Sequence, residues 1–358
     1  MKGLILAGGL ATRLRPLSYT GPKQLICLAN KPVLHYIVED LKNSGINDIG
    51  IIVGYTEERI NDVKNSLGDG EKWDVKITYI EQDAPRGLAH AVSIAEDFIN
   101  GEDFVVYLGD NIIKSGIKKL VEEFKNQDND VNLLLAENDT PEKFGVAYVK
   151  EDEIIDIEEK PQNPKSNLVI TGVYIFKSSI FKYLNKVELG KGGELQLTDA
   201  IRMMVHSPEH KVCYHLIEDW WDDTGTAESV LRANHLLLED LKRKVEGKVD
   251  PTAKLLGNIQ VGKGSTIKEN CVIRGPVIIG NNCQIGPDTY IGPYTSVGDE
   301  TVIKKGDIES SVILKGTYID LDKKIVDSLI GEKVKILSHK SLPKGYKLLL
   351  GKRSELKL

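Results

Sequence analysis

A six-residue repeat in the second half of the chain constrains its fold more than any other feature of the sequence. Aliphatic residues recur at every sixth position from Val249 to Ile303, ten times in succession. Of the ten residues that lie four positions further on, nine are small or aliphatic, and Asp307 is the exception. This period matches neither an α-helix nor an ordinary antiparallel strand. It is typical of a coil with three short flat faces, in which aliphatic residues point inward and glycines turn the corners.

The repeat therefore predicts a β-helix, and it resembles the left-handed parallel β-helix of hexapeptide-repeat proteins. After Ile303 the sequence loses this register, because Glu309 takes an apolar position. The pattern resumes in part at Val312 and again over Val326–Val334. The C-terminal segment is polar and lysine-rich apart from Leu348–Leu350, and we expect it to cover the open end of the coil.

The first 245 residues have a different organisation, in which short apolar runs alternate with helical patterns. An apolar run such as Phe104–Leu108 predicts a buried strand, and the amphipathic segments between such runs predict helices. We expect a hairpin over Phe144–Glu158 and a long closing helix over Thr226–Val245. This alternation favours βαβ units. We therefore predict an α/β domain over residues 1–245, Rossmann-like with a mixed, mainly parallel sheet, and a β-helix domain with a C-terminal extension over residues 246–358.

The overall composition argues against several classes of protein. A formal net charge of -6 disfavours a broad basic surface for nucleic acid, although a local phosphate pocket is compatible with it. The four cysteines are scattered, without a Cys-x-x-Cys pair or zinc-ligand spacing, so neither a disulfide scaffold nor a zinc site is expected. No apolar stretch reaches the ~18 residues of a membrane span, and the N-terminal apolar run is too short for a signal-peptide core. We expect a cytoplasmic protein that binds neither nucleic acid nor membrane.

The most informative local motif follows the first predicted strand, where Gly8 and Gly9 end an apolar run. Successive backbone N–H groups of such a glycine loop can surround phosphate oxygens. Arg13, Arg15 and Lys23 would add positive charge nearby. The alternative is an ordinary strand-to-loop turn with surface cations. The loop is neither a Gly-x-Gly-x-x-Gly fingerprint nor a Walker A motif, which disfavours a dinucleotide-binding fold and an ATPase.

Two acidic motifs have the chemistry of magnesium ligands. The predicted strand that ends at Leu108 delivers Asp110 to the carboxyl end of the sheet, where open α/β sheets bind ligands. A second carboxylate, from Asp222 or Asp223, lies just before a predicted helix. Mg²⁺ prefers one or two carboxylates together with phosphate and water. The alternative for each aspartate alone is a helix cap or a turn residue.

Together these motifs resemble the sugar-1-phosphate nucleotidylyltransferases, and the hexapeptide tail is typical of the long form of the glucose-1-phosphate thymidylyltransferases. The resemblance covers the whole first domain, because the family's motifs occur in the family's order. The matching residues are Gly8-Gly9 with Thr12-Arg13-Leu14 and Pro16, Pro22–Leu25, Glu81–Ala89, Leu108–Asn111, Phe144–Val146, Glu158–Pro161, Thr171–Tyr174, and Trp221 with Asp223–Gly225.

The resemblance implies that a nucleoside triphosphate and a sugar 1-phosphate react to give a nucleotide-sugar and pyrophosphate, with Mg²⁺ as cofactor. Such in-line chemistry depends on positioning and charge neutralisation more than on covalent help. Asp110 and Asp223 would hold Mg²⁺, and Asp223 is preferred to Asp222 because it lies in the Asp-Thr-Gly frame. Arg13 would bind the leaving phosphates together with the glycine loop. Lys23 would stabilise charge near the α-phosphate.

The resemblance also implies two binding subsites. Gln82 and Gly87 would recognise the base edge, and the nucleotide-binding set is Leu6, Gly8, Gly9, Thr12, Arg13, Gln24, Gln82, Pro85, Gly87 and Asp110. His90 follows this segment, and we expect it to pack or to cap its helix. Lys160 would bind the sugar's phosphate, although a salt bridge within Glu158–Lys160 is the alternative outside this context. The sugar-phosphate set is Leu108, Gly145, Glu159, Lys160, Thr171, Gly172 and Val173.

The substrates stay open at this stage. The resemblance favours dTTP and glucose 1-phosphate, with UTP as an alternative nucleotide and N-acetylglucosamine or galactose phosphate as an alternative sugar. A non-catalytic paralogue that only binds nucleotide-sugars is disfavoured, because all four proposed catalytic residues are present. Bifunctional relatives use such a β-helix as an acetyltransferase, which needs a general base, and His339 is the only histidine after residue 245. We therefore expect the β-helix to support homo-oligomer formation or stability.

Overall fold

The computed structural model describes residues 1–9, 11–19, 21–190 and 193–338. The chain separates into two compact units, Met1–Ala233 and Asn234–Leu358. The sequence-based boundary at residue 245 remains a prediction about which segments fold independently. The predicted extension beyond residue 338, which includes His339, lies outside the described residues. Within the described ranges, no helix is both long enough and apolar enough to cross a membrane.

The first unit contains a large sheet, two small sheets and a set of helices. Its strands are β1 (Lys2–Leu6), β2 (Cys27–Leu28), β3 (Lys31–Pro32), β4 (Asp48–Val53), β5 (Lys76–Glu81), β6 (Phe104–Leu108), β7 (Asn111–Ile113), β8 (Val131–Glu137), β9 (Gly145–Lys150), β10 (Glu153–Glu159), β11 (Leu168–Phe176), β12 (Val212–Leu216) and β13 (Trp221–Asp223). The helices are α1 (Val33–Asn43), α2 (Glu57–Leu67), α3 (Leu88–Ser93), α4 (Glu96–Ile99), α5 (Lys118–Asn126), α6 (Phe181–Leu184), α7 (Leu197–Val205) and α8 (Ala227–Glu239), which runs into the second unit.

The central strands of the large sheet are apolar because both faces of the sheet are covered. β1 lies between β4 and β6 and runs parallel to both, and β5 continues the parallel set beyond β4. Leu4, Ile51 and Val106 in these strands are fully buried, as expected for parallel strands between helices. β11 runs antiparallel to β6 and β8, so the sheet is mixed. The predicted α/β class with a Rossmann-like sheet is confirmed.

The second unit is a parallel β-helix. Its strands are β14 (Lys244–Val245), β15 (Lys248–Val249), β16 (Lys254–Leu256), β17 (Ile259–Val261), β18 (Thr266–Ile267), β19 (Val272–Arg274), β20 (Val277–Ile279), β21 (Gln284–Ile285), β22 (Tyr290–Ile291), β23 (Thr295–Val297), β24 (Val302–Glu309), β25 (Val312–Ile313), β26 (Tyr318–Val326), β27 (Leu329–Ile330) and β28 (Lys335–Leu337). Ile259 pairs with Val277, so one coil advances by 277 − 259 = 18 residues, three times the repeat. Ile273 and Ile285 are fully buried within one continuous core. The predicted β-helix is confirmed.

The inward-facing positions continue beyond Ile303, where the sequence pattern indicates a loss of register. Ile308 and Ile313 follow at intervals of five residues, and both are fully buried. Ile308 lies in register with Ile291 of the preceding coil. Later core positions are filled by Ile319, Ile325, Ile330 and Ile336. The predicted loss of the six-residue register after Ile303 is confirmed, and Ile308 rather than Glu309 takes the inward position because the corner is one residue shorter.

Two helices are shorter than their sequence patterns predict. The apolar pattern over Ile113–Phe124 predicts a helix, but α5 begins at Lys118 because β7 pairs with β13. The closing helix predicted over Thr226–Val245 ends at Glu239, because β14 already pairs with β17. In both places, pairing between strands that are distant in sequence replaces part of the helix that the local apolar pattern predicts.

Candidate active site

Two adjoining cavities lie at the carboxyl ends of β1, β4 and β6. The larger has a volume of about 1000 Å³ and the smaller about 410 Å³. Arg13, Leu88, Leu108 and Asp110 line both cavities. Open α/β sheets bind ligands at this edge, and both volumes suit small molecules. The pair of cavities is therefore the candidate active site.

The smaller cavity brings together the residues predicted to bind the nucleotide. Its lining includes Leu6, Gly8, Gly9, Thr12, Arg13, Gln24, Gln82, Pro85, Gly87 and Asp110, together with Lys23. The Gln24 side chain is almost fully buried, and its Oε1 has no hydrogen-bond partner among the described residues. A buried acceptor without a partner is costly unless a ligand or water satisfies it. This orphaned atom supports a polar ligand in the smaller cavity.

Two glycines of this cavity lie where a larger side chain would collide with neighbouring atoms. A Cβ atom on Gly8 would lie 2.8 Å from Oε1 of Gln82. Gly87 has a left-handed φ of 106°, and a Cβ atom there would overlap the backbone of Leu195. The geometry thus requires glycine at position 87 for the turn into α3, and its contact with a base edge stays a prediction.

Lys23 and Asp110 form an ion pair where the two cavities meet. Their side chains are 13% and 16% exposed, respectively. Burial alone would raise the pKa of Asp110, but the charge and hydrogen bond of Lys23, with a further hydrogen bond from Asn111, hold this pKa below its usual value. Asp110 is therefore ionised at neutral pH, as a magnesium ligand has to be.

Asp222 and Asp223 are adjacent in β13, so their side chains point to opposite sides of the strand. Asp222 accepts two hydrogen bonds from Arg232, of 2.5 Å from Nε and 2.6 Å from Nη2. Asp223 lines the larger cavity instead. Burial and the charge of Asp110 raise the pKa of Asp223, while Arg13 lowers it. This arrangement supports Asp223 as the second metal ligand, because Asp222 is already engaged by Arg232.

The pair formed by Asp110 and Asp223 fits a divalent cation. The charge of Asp110 raises the pKa of Asp223, and a bound cation would relieve this repulsion between carboxylates. In the parts of the chain that the structure describes, no group of three or more Asp, Glu, His or Cys side chains could hold a metal ion. Two carboxylates are sufficient for Mg²⁺, which keeps several waters and binds substrate phosphates.

Asn111 connects Asp110 to the wall of the larger cavity, a role that the sequence analysis did not identify. Its Nδ2 donates to Asp110 Oδ1 over 2.9 Å. Its Oδ1 accepts from the Gly172 N–H over 3.2 Å and from Trp221 Nε1 over 2.5 Å. The Asn111 side chain is buried, so these contacts fix the direction of the Asp110 carboxylate. Its place directly after Asp110 in the Leu108–Asn111 motif is the signal that could have identified it.

The larger cavity brings together most of the residues predicted to bind the sugar phosphate. Its lining includes Leu108, Gly145, Glu159, Lys160, Thr171 and Gly172. Of the predicted set, all of which the structure describes, Val173 is absent from this lining. Its side chain is fully buried, and it pairs with Tyr107 of β6. Val173 therefore belongs to the core of the sheet.

Glu159 and Lys160 lie at the end of the hairpin formed by β9 and β10. Thr198 Oγ1 donates to Glu159 Oε2 over 3.0 Å, and Lys160 Nζ lies 3.1 Å from Glu159 Oε1. The Lys160 side chain is 59% exposed, and an exposed ion pair of this kind is weak. The Lys160 ammonium can therefore leave Glu159 for a phosphate at small cost.

Further side chains of the larger cavity were missed by the sequence analysis. They are Lys143, Phe144, Thr198, Trp221 and Arg232. The rings of Phe144 and Trp221 meet edge to face with their centroids 5.4 Å apart. Both aromatic residues lie inside motifs that the sequence analysis used, which could have identified them. Lys143 and Arg232 lie outside these motifs and carry no comparable signal.

A glycine loop, cationic side chains and a carboxylate pair converge at one sheet edge, an arrangement that suits nucleotidyl transfer. Comparison with known proteins agrees with this class, since the chain belongs to the nucleotidyl transferase family, which matches residues 2–240. A second family, described as the GMPPB C-terminal domain, matches residues 273–351. The family resemblance drawn from the motifs is confirmed.

Relatives of this chain match it over its full length. The low-salt glycan biosynthesis nucleotidyltransferase Agl11 of Haloferax volcanii is 43% identical over 360 residues, covering 100% of both chains. A glucose-1-phosphate thymidylyltransferase of Streptomyces antibioticus is 41% identical, covering 100% of this chain and 99% of that one. A Bacillus anthracis protein described as a glucose-1-phosphate thymidylyltransferase, solved in complex with sucrose, is 39% identical with a TM-score of 0.61, covering 68% of this chain and 97% of that one.

Proposed function

We propose that this protein is a glucose-1-phosphate thymidylyltransferase, which converts dTTP and glucose 1-phosphate into dTDP-glucose and pyrophosphate. The observation that carries the proposal is the convergence of two predicted residue sets on two adjoining cavities. Arg13 and Asp110 belong to the lining of both cavities, where the two substrates would meet. Full-length relatives with this name support the choice of substrates.

The chain's own residues supply most of the charge that the reaction needs. A phosphate oxygen of the sugar 1-phosphate attacks the α-phosphorus, and pyrophosphate leaves on the opposite side. The glycine loop and Arg13 would hold the leaving phosphates, and Lys160 would hold the sugar's phosphate. Lys23 would stabilise the charge that develops at the α-phosphate. Arg13 and Lys23 line the smaller cavity and Lys160 lines the larger one, so positive charge lies where the phosphates of both substrates would bind.

Asp110 and Asp223 would hold Mg²⁺, which neutralises phosphate charge when it is bound. Contacts within the chain keep both carboxylates in place. Thr224, next to Asp223, donates its N–H over 2.8 Å and its hydroxyl over 2.9 Å to the backbone carbonyl of Asp110. Asn111 holds the side chain of Asp110. The two ligands are thus positioned by hydrogen bonds that join β13 to the end of β6.

We further propose a homo-oligomer that uses the β-helix, and a cytoplasmic location where nucleoside triphosphates are available. The β-helix exposes large apolar side chains: Leu256 is 50% exposed and Leu337 is 60% exposed. Such residues favour an interface with a second copy when they are clustered on a surface.

The test is a pyrophosphate-release assay that combines dTTP, UTP, CTP, ATP and GTP with the 1-phosphates of glucose, N-acetylglucosamine and galactose. We expect Mg²⁺-dependent release with the highest kcat/KM for dTTP and glucose 1-phosphate. A highest kcat/KM with UTP would make the protein a uridylyltransferase. Retained binding of nucleotide-sugars without release in any combination would contradict an enzyme and favour a regulatory paralogue.

A further inference from the structure

His90 touches the smaller cavity's base-recognition side chain, although the proposed reaction does not use it. Its Nδ1 lies 3.1 Å from Nε2 of Gln82. The imidazole is 15% exposed and Gln82 is buried. His90 therefore has a closer relation to the nucleotide site than the packing or capping role that the sequence indicates.

The contact with His90 determines which end of the Gln82 amide is available. A carboxamide has a donor nitrogen and an acceptor oxygen. The nitrogen of Gln82 is directed at His90, and the oxygen lies against the glycine loop, where a Cβ atom on Gly8 would be 2.8 Å from it. Gln82 thus presents an acceptor to the smaller cavity. A proton on His90 Nδ1 would reverse this arrangement, because Nδ1 would then donate to the amide oxygen.

Asp83 favours the tautomer of His90 that this arrangement needs. Its Oδ1 lies 3.6 Å from Nε2 of His90, and a carboxylate on that side attracts the ring proton to Nε2. Nδ1 is then left as the acceptor for the Gln82 amide. Asp83 is itself paired with Arg86, with 2.5 Å between Oδ2 and Nη2. A chain of four polar side chains therefore runs from the exposed Arg86 to the cavity.

We infer that His90 is a positioning residue that sets nucleobase specificity by fixing Gln82 as a hydrogen-bond acceptor. Thymine and uracil carry an N–H at position 3, which can donate to this acceptor. Cytosine has a lone pair at the same position, which would face the lone pairs of Gln82 Oε1. The inference rests on the proposed function, in which Gln82 recognises the base edge, and it adds a reason why the site would reject cytosine nucleotides.

The test compares dUTP with dCTP, because these nucleotides share the sugar and lack the thymine methyl group. Their kcat/KM values with glucose 1-phosphate are measured for the wild type, for His90→Leu and for the matched control His206→Leu. His206 is 55% exposed and pairs with Asp156 outside both cavities. We expect the dUTP to dCTP ratio to fall roughly tenfold in His90→Leu, since one oriented hydrogen bond is lost, and to stay unchanged in His206→Leu.

Two further measurements keep the inference testable if His90→Leu folds poorly. Asp83→Asn changes an exposed side chain and should shift the same ratio in the same direction by a smaller factor. Nitrogen-15 NMR of the wild-type imidazoles should show the Nε2–H tautomer for His90, assigned in the wild type through correlations to the backbone signals of α3. An Nδ1–H tautomer, or an unchanged ratio in a folded His90→Leu, would overturn the inference.

Failure of the proposed function has a different signature. A wild type that releases no pyrophosphate with dTTP or dUTP would contradict the proposed thymidylyl transfer. The role of His90 is then decided by equilibrium binding of dUTP and dCTP to the same three proteins, which needs no turnover. A wild type that binds dUTP more tightly, with this preference lost in His90→Leu alone, would support the inference, and equal preferences in all three would overturn it.

Discussion

Asn111 donates a hydrogen bond of 2.9 Å to Asp110, which ties the proposed magnesium ligand to the residue that follows it in the chain. The oxygen of the same amide accepts hydrogen bonds from Gly172 and Trp221 in the wall of the larger cavity. Any displacement of Asn111 therefore changes the proposed metal site and the wall of the larger cavity together.

Gly172→Ala tests this connection. A Cβ atom at position 172 would lie 2.5 Å from Cγ of Asn111, so the amide has to move. We expect kcat/KM to fall by roughly 10²-fold, the cost of misplacing a positioned group by about 1 Å. Mn²⁺ affinity, measured by electron paramagnetic resonance, should weaken as well. The control is Gly21→Ala, since a Cβ atom there meets nothing within 4 Å. Normal Mn²⁺ binding by a folded Gly172→Ala variant would refute the link between Asn111 and the proposed metal site.

Asp110→Asn and Asp223→Asn should each reduce Mg²⁺-dependent turnover by roughly 10²–10³-fold, because one charged ligand is removed from the transition state. Pyrophosphate release over a Mg²⁺ titration measures this loss, and circular dichroism checks the fold. Asp222→Asn is the neighbouring control. It removes the negative charge and one of the two oxygens that accept hydrogen bonds from Arg232, so it should lower thermal stability and keep most of the turnover. Near-wild-type rates in either ligand variant would contradict the metal assignment.

The elements that the sequence predicts best are those in which local pattern and tertiary environment agree. Phe104–Leu108 is a strand with the predicted bounds, because a central strand buried on both faces is an uninterrupted apolar run. The β-helix core can be predicted from the sequence equally well, since each coil repeats the same inward positions. The register beyond Ile303 could not be predicted, because a five-residue corner keeps Ile308 inside without changing the apolar composition.

The sequence points to a site residue when its side-chain chemistry alone suggests a role. It does not do so when the role depends on contact with a residue far away in the chain. Asp110 stands out at the end of an apolar strand. The use of Asn111 depends on Trp221, which is brought alongside it by the pairing of β7 with β13. No local pattern contains that pairing. His90 is a similar case, because its importance comes from the orientation that it imposes on Gln82.

Lys160→Gln should separate the two subsites. We expect KM for glucose 1-phosphate to rise roughly tenfold, since a charge-assisted contact with the sugar's phosphate is lost, while KM for dTTP stays unchanged. Steady-state kinetics with each substrate varied in turn measure the two constants. Lys150→Gln is the control, because Lys150 belongs to the same hairpin and pairs with Glu151 on the surface. An equal rise in both KM values would argue against a specific phosphate contact.

Gly280→Ala should destabilise the β-helix without affecting catalysis. A Cβ atom at this corner would overlap the Asp299 side chain and lie 2.7 Å from its backbone nitrogen. Overpacking of this kind costs about 1–3 kcal/mol. The tryptophans, Trp73, Trp220 and Trp221, all belong to the first unit. Calorimetry should therefore show an earlier transition while tryptophan fluorescence and kcat stay unchanged. The control is Gln284→Ala, on the exposed side of β21. If the fluorescence transition of Gly280→Ala shifts together with the calorimetric one, the two units do not unfold independently.

Asp40 and His35 lie on α1 and give the first unit opposite responses to pH. Burial raises the pKa of Asp40 to about 6, although hydrogen bonds from the Ile117 N–H and the Tyr107 hydroxyl oppose this shift. Between about pH 4 and 6 the folded state therefore holds a proton that the unfolded chain has lost, so the free energy of unfolding falls as the pH rises. Burial and the charge of Lys72 lower the pKa of His35 to about 4. The unfolded chain then binds the extra proton below about pH 6.5, and stability falls as the pH falls.

Asp40→Asn removes the first contribution and leaves the second. An amide resembles the neutral carboxyl, so the variant should match the wild type near pH 4 and exceed its free energy of unfolding by up to about 3 kcal/mol at pH 7, because the two pKa values of Asp40 differ by about two. Urea unfolding followed by tryptophan fluorescence measures both proteins, since the tryptophans report on this unit alone. Between pH 6.5 and 4 the variant should also lose stability more steeply than the wild type as the pH falls. In the wild type, proton uptake by folded Asp40 offsets the destabilising effect of His35 over this range, and the variant lacks that offset. Adding His35→Gln to this variant should reduce the dependence of its stability on pH. If the wild type and Asp40→Asn have parallel profiles of stability against pH, the Asp40 carboxylate does not contribute to the pH dependence.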